Sequence, residues 1–416
     1  MTSEWLEHRP WLPVGASGHP LPAWLREATL GIFVHWGAYS VPAWAEPSGA
    51  LGTLPDTQWY DHNAYAEWYA NTIRIPGSPA AGHHARVHAG RPYADFLDDW
   101  RAERYDPADW ARLFRSVGAD YVVPTTRHHD GIALWDAPGA GDLTTVARGP
   151  RRDLIAPLAA AVRAEGMRFG VYYSGGLDWA FTDFPPHRSD EDLQRFRPRD
   201  QAYHAYARAQ VTDLVERFRP DVLWNDIDWP DAGKSAGPDS IGALLAWYRD
   251  RVPDGAVNDR WGIDDWDFRT SEYDTHRANE ALPGWEHCRG LGLSFGYNRV
   301  EDASVTLTPR ALARLYADVV ARGGRLLLNV GPDAGGEIPA RQRATLETIA
   351  SWMSEVKPHT RARGPVPPDL VEVTDAAWWR SWSTPAGLVV VADGPRAVAV
   401  ARDGRPVTTL GLPEDD

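Results

Sequence analysis

Cysteine is almost absent: Cys288 stands alone among 416 residues, which excludes an intramolecular disulfide framework and fits a reducing compartment or a fold large enough to need no covalent staples. The thiol is expected to be inert. No run of about 18 consecutive apolar residues occurs, so no membrane-spanning helix is expected. The N-terminal stretch carries Glu4, Glu7, His8 and Arg9 and no apolar segment of signal-peptide length, so a soluble, cytoplasmic protein with no membrane partner is expected. Positive charge is scarce: 43 basic against 57 acidic residues give a net charge of -14. No Lys/Arg cluster rises out of that background to track phosphates, which argues against nucleic acid as a partner. Tryptophan, by contrast, is in excess, with 21 Trp against 15 Tyr and 10 Phe. Its flat apolar faces and polar edge suit sugar rings, although many of these residues are expected simply to be core.

At 416 residues the chain exceeds the roughly 250 of a (β/α)8 barrel, leaving room for a small appendage. β-Branched apolar runs alternate with stretches of helical period, the pattern of βα units around a parallel sheet. The runs lie at 31–34, 121–123, 169–172, 221–224, 256–258, 267–273, 293–295 and 326–330, as many as a closed barrel requires. Between them Asp106 and Pro107 open a helix with Trp110, Leu113, Phe114 and Val117 on one stripe and Gly118 at its end. Thr308 and Pro309 open another, with Leu312, Leu315, Tyr316 and Val319 inside, and Val211, Leu214, Val215 and Phe218 mark a third. The first βα connection, 38–105, is rich in Trp, Tyr, His and Pro and far too long for a plain loop, which marks it as functional. Pro358, Pro365, Pro367 and Pro368 read as a linker, followed by short strands broken at Asp393-Gly394 and Asp403-Gly404. The expected architecture is a (β/α)8-like, TIM-type barrel over 1–357 and a small β-sandwich-like domain over 358–416.

Several runs end in polar or aromatic residues instead of turn formers. They end in His35-Trp36-Gly37, His128-His129-Asp130-Gly131, Tyr172-Tyr173-Ser174, Trp224-Asn225-Asp226 and Asn258-Asp259-Arg260-Trp261, and the sixth carries Glu272. In a barrel these carboxyl ends converge on one face. Asp226 and Glu272 then supply what acetal hydrolysis needs: one carboxylate to meet the developing charge at the anomeric carbon and one acid to protonate the leaving oxygen. His128 and His129 are adjacent, so both enter one site only at a strand end or bulge. A metal reading would take His35, one of these two histidines and Asp226 as ligands. The first strand, however, offers a single His followed by Trp and no pair two apart, so neither metal nor cofactor is expected.

The motifs GIFVHWGAYSVPAW at 31–44, AEWY at 66–69, HHDG at 128–131, RFGVYYSGGLDW at 168–179 and DVLWND at 221–226 follow in order. After them come VNDRWG at 257–262, FRTSEY at 268–273, LSFGYNR at 293–299 and LLLNVGP at 326–332. From Trp24 to about Trp352 the chain resembles glycoside hydrolase family 29, the α-L-fucosidases. The resemblance implies Asp226 as the nucleophile of a retaining double displacement and Glu272 as acid/base. It places sugar contacts on His35, Glu67, Trp68, His128, His129, Tyr172, Trp224 and Arg260. Phe295 would accept the C6 methyl; burying a methyl is worth about 0.8 kcal/mol, so selectivity must also come from rejecting a hydroxyl there. Glu67 is a second candidate for acid/base work, though a hydroxyl-binding role suits it better. The implied substrate is a fucosylated oligosaccharide or small fucoside; a galactosidase-like specificity and a metal-dependent barrel hydrolase are the alternatives. The stretch after Pro368 is shorter than the family's C-terminal β-sandwich, which leaves a homo-oligomer open.

Overall fold

The computed structural model describes residues 19–50, 52–273, 285–367, 369–394 and 396–415. The residues of the N-terminal reading up to 18, and the linker's Pro368, lie outside the described residues. Eight parallel strands form one curled sheet in the order β5-β4-β3-β2-β1-β8-β7-β6. They are β1 (Leu30–Val34), β2 (Tyr121–Arg127), β3 (Arg168–Tyr173), β4 (Val222–Asn225), β5 (Ala256–Val257), β6 (Thr270–Glu272), β7 (Glu286–Gly290) and β8 (Arg325–Val330). The edges β5 and β6 meet at a single parallel bridge, Asn258 to Phe268, beside an N–H of Asp267 donating to the Val257 carbonyl at 2.9 Å.

Strand period sorts the apolar residues onto two faces. On β1, Leu30, Ile32 and Val34 pack outward with Val122, Val171, Leu223 and Leu328. Phe33 packs inward with Val123, Tyr172, Trp224 and Leu327. Gly31 also faces inward, and any Cβ there would run into the Tyr121 ring that fills the barrel at that level.

The outer face is covered by α1 (Pro107–Ser116), α2 (Ile155–Ala164), α3 (Gln201–Phe218), α4 (Ile241–Arg251), α5 (Pro309–Ala321) and α6 (Ala340–Val356). As the sequence indicates, Asp106 caps α1 by accepting the N–H groups of Ala108 and Asp109 at 2.9 and 3.1 Å, and Thr308 caps α5 through the N–H of Ala311 at 3.2 Å. No helix separates β5 from β6.

One strand differs from the sequence reading. The segment 293–295 is irregular, and the seventh strand is Glu286–Gly290. Its residues Glu-His-Cys-Arg-Gly form no apolar run, because this strand carries a polar part of the barrel interior. Glu286 is fully buried; it accepts from Trp224 Nε1 at 2.9 Å and from the Tyr121 hydroxyl, and pairs with Arg325 at 3.1 Å.

After the barrel come β9 (Val371–Thr374), β10 (Trp379–Thr384), β11 (Gly387–Ala392), β12 (Val398–Ala401) and β13 (Val407–Gly411). They form a three-stranded sheet, β10-β11-β13, and a two-stranded one, β12-β9. Buried Trp382 joins the barrel's outer core. Asp393 accepts from Arg310 and Arg314 of α5.

Candidate active site

Every candidate catalytic or sugar-contact residue named from the sequence except Arg260 lines one pocket at the carboxyl ends of the strands. These are His35, Glu67, Trp68, His128, His129, Tyr172, Trp224, Asp226, Glu272 and Phe295. The long connection after β1 contributes Glu67 and Trp68 from a 3-10 turn. β2 loses register against β3 between Thr125 and Arg127 and ends there, so His128 and His129 follow a strand end at an irregularity and both reach the pocket. Three lining residues went unrecognised: Phe33, Trp59 and Tyr65. Phe33 was within reach, since it alternates with outward-facing Ile32 and Val34; Trp59 ends a single helical turn, Asp56–Trp59, and Tyr65 sits in irregular chain, so neither has a period to show where it faces.

Arg260 lies beneath the pocket and organises it. Nη1 donates to Asp226 Oδ1 at 2.8 Å and Nη2 pairs with Glu272 Oε1 at 3.2 Å. Nε donates to Thr270 Oγ1 at 2.9 Å, and the guanidinium carbon sits 4.7 Å from the centre of the Trp224 ring. Burial opposes its charge, but Glu272 and Asp226 outweigh that and push the guanidinium pKa up. One rigid fork therefore sets the relation between the two carboxylates.

Asp226 is held from two further directions. Tyr172 donates to Oδ2 at 2.8 Å and the Ile227 N–H donates to Oδ1 at 2.8 Å, while His129 Nε2 lies 3.6 Å from Oδ2, beyond hydrogen-bond reach. Ile227 adopts a φ of 68°, a costly left-handed conformation for a β-branched residue. That turn aims its amide at the carboxylate. Tyr273, after Glu272, is left-handed as well, with a φ of 51°.

The histidines are neutral acceptors. Asn329 donates through Nδ2 to the Phe295 carbonyl at 2.7 Å, which turns its Oδ1 to His35 Nδ1 at 2.7 Å. His35 therefore carries its proton on Nδ1 and keeps a lone pair on Nε2. Burial lowers its pKa to about 4, against the opposing pull of Asn329 and Asp226. Ser174 donates to the Leu177 carbonyl at 2.7 Å, so it accepts from His129 Nδ1 at 2.7 Å and leaves Nε2 of His129 as an acceptor too. Burial pushes His128 and His129 well below the ordinary imidazole value. His128 stacks on Tyr172, and its buried Nδ1 has no protein partner among the described residues.

Glu67 is buried, and burial raises its pKa to about 7 against the backbone and Ser294 groups that bond to it. Phe295 lines the pocket beside it, its ring 5.0 Å from that of His35 and 5.5 Å from that of Tyr65. Cys288 is buried, and burial together with Glu286 pushes its thiol up, as an inert cysteine requires. Among the described residues no group of three or more His, Cys, Asp or Glu side chains is arranged to hold a metal ion, and no helix is long and apolar enough to cross a membrane.

The family model described as alpha-L-fucosidase matches residues 10–357. The chain belongs to the α-L-fucosidase family. Its membership makes it a glycoside hydrolase, and curated α-L-fucosidases agree over most of their length. The one from Dictyostelium discoideum is 31% identical over 81% of this chain and 71% of its own. The tissue α-L-fucosidase of Bos taurus is 32% identical over 80% of this chain and 68% of its own. Among solved structures, a Thermotoga maritima α-L-fucosynthase in complex with α-L-Fuc-(1-2)-β-L-Fuc-N3 superposes with a TM-score of 0.83 at 43% identity, covering 89% of this chain and 82% of that one. The Thermotoga maritima α-fucosidase with a mechanism-based inhibitor gives 0.82 at 43% identity over 90% and 83%. The α-L-fucosidase match ends at residue 357, before the C-terminal sheets begin.

Proposed function

We propose that the chain is a retaining exo-α-L-fucosidase that removes a terminal α-L-fucosyl unit from an oligosaccharide or small fucoside through a covalent fucosyl-enzyme. The observation that carries the reading is the single Arg260 guanidinium touching both Asp226 and Glu272. A shared clamp favours the short carboxylate separation of about 5–5.5 Å used in retention over the gap of about 6.5–9.5 Å that inversion needs to admit a water.

In the first step Asp226 attacks the anomeric carbon and the bond to the leaving oxygen breaks, that oxygen taking the proton of Glu272. In the second, Glu272 removes a proton from water, the water oxygen attacks the same carbon, and Asp226 is released; two inversions give net retention. Tyr172 and Arg260 fix the attacking carboxylate against rotation. The lone pairs on Nε2 of His35 and His129 accept hydrogen bonds from sugar hydroxyls, and Glu67 holds another hydroxyl. Phe295 and Phe33 offer the C6 methyl an apolar wall, their rings 6.4 Å apart, where a hydroxyl would lose its hydrogen bonds.

The test is nitrophenol release from an aryl α-L-fucoside by wild type and by Asp226→Ala, with and without azide. The variant should lose activity by about three orders of magnitude or more, and azide should restore turnover with an inverted fucosyl azide as product. Turnover in Asp226→Ala close to wild type would remove Asp226 from the nucleophile's role.

A further inference from the structure

We infer that Glu301, which lies outside the pocket lining, is a positioning residue that sets sugar selectivity by fixing the segment carrying Phe295. The inference rests on the proposed role of Phe295 at the C6 methyl. Residues 293–296 belong to no strand, so their backbone groups find partners in side chains. Two carboxylates take the amides, that of buried Glu67 and that of half-buried Glu301. Glu301 Oε1 accepts the Ser294 N–H at 2.7 Å, with the Leu293 amide on the same carboxylate. Glu67 Oε2 accepts the Gly296 N–H at 2.7 Å, with the Phe295 amide beside it.

The carbonyls are held from the other side. Asn329 donates to Phe295 O at 2.7 Å, Ser294 Oγ to Gly296 O at 2.7 Å, and the Tyr273 hydroxyl to Leu293 O. The segment is also packed without slack: a Cβ on Gly331 would lie 2.6 Å from Phe295 O, and one on Gly292 would meet the Glu301 carboxylate.

Most of these anchors have duties in the site itself, since Glu67 lines the pocket, Asn329 orients His35 and Tyr273 follows Glu272. Glu301 has none. Removing it frees two consecutive amides immediately before Phe295, which lets the ring drift from the methyl position while both catalytic carboxylates stay in place.

The experiment compares an aryl α-L-fucoside with the matching α-L-galactoside, which differs by one hydroxyl on C6, using wild type, Phe295→Ala, Glu301→Ala and Glu301→Gln. The ratio of kcat/KM for fucoside over galactoside should fall about tenfold in Glu301→Ala, chiefly through a higher fucoside KM. Glu301→Gln, which keeps one acceptor oxygen, should recover most of it. If Glu301→Ala does not fold, Glu301→Asp takes its place, with its carboxylate drawn back by one methylene and the same fall expected. An unchanged ratio in the Glu301 variants beside a lowered one in Phe295→Ala overturns the positioning role alone. An unchanged ratio in Phe295→Ala overturns the methyl-contact reading and this inference with it.

Discussion

Glu67 commits Oε2 to the Phe295-bearing segment, leaving Oε1 as its remaining acceptor in the pocket it lines. Burial raises its carboxyl from near 4.5 to about 7, so the folded protein holds a proton that the unfolded chain releases at lower pH. The stability this contributes is complete below about 4.5 and is lost as the pH rises through about 7. Between about pH 5 and about pH 8 the urea midpoint of wild type should therefore fall relative to that of Glu67→Gln; parallel pH profiles would show an ordinary carboxyl. The residues that line the pocket were readable because strand ends in a barrel converge, and a polar residue ending an apolar run stands out. Asn329 carries the same mark within Leu-Leu-Leu-Asn-Val and pairs with Phe33 across the sheet, yet its value lies in setting a tautomer, which only the geometry exposes. Glu301 was invisible, since nothing in Arg-Val-Glu-Asp indicates that its carboxylate faces back onto Ser294.

β7 is where the pattern of elements departs most from expectation. A buried Glu286 satisfied by Trp224, Tyr121 and Arg325 is an ion pair in the barrel's interior, and removing one partner strands the other. Glu286→Ala should cost about 3–5 kcal/mol, measured by urea denaturation, with Glu286→Gln costing less because it still accepts from Trp224. Equal losses in the two variants would mean that volume matters and the hydrogen bonds do not. A search for apolar runs passes over this strand and settles on 293–295, an irregular segment whose Phe295 lines the site. The outer helices were legible for the opposite reason: Asp106 and Thr308 are capping residues followed by proline, and such local signals do not depend on the rest of the fold.

At the scale of the whole molecule, the C-terminal sheets dock through contacts that no local pattern encodes. Asp393, expected as part of a turn, receives Arg310 and Arg314 of α5. Arg380 reaches Asp318, Trp352 Nε1 donates to the Gly411 carbonyl at 2.7 Å, and fully buried Trp382 donates to the His359 carbonyl at 2.7 Å. Trp382→Ala should cost about 3–5 kcal/mol and lower a single unfolding transition shared with the barrel; a second, separate transition in calorimetry would show that the sheets melt alone. The prolines and turns announced short strands after the barrel, whereas their place against α5 and α6 depends on pairings far apart in sequence. The seam between β5 and β6 carries one more consequence. The ring of strands is stitched there by one bridge with no helix behind it, and Arg260 and Glu272 stand on its two sides, whereas Asp226 stands on a wall paired to both neighbours. The proposed proton donor is thus mounted on the compliant part of the barrel and the proposed nucleophile on the stiff part, so sequence drift at the seam can retune the departing group while the half that carries Asp226 keeps its shape.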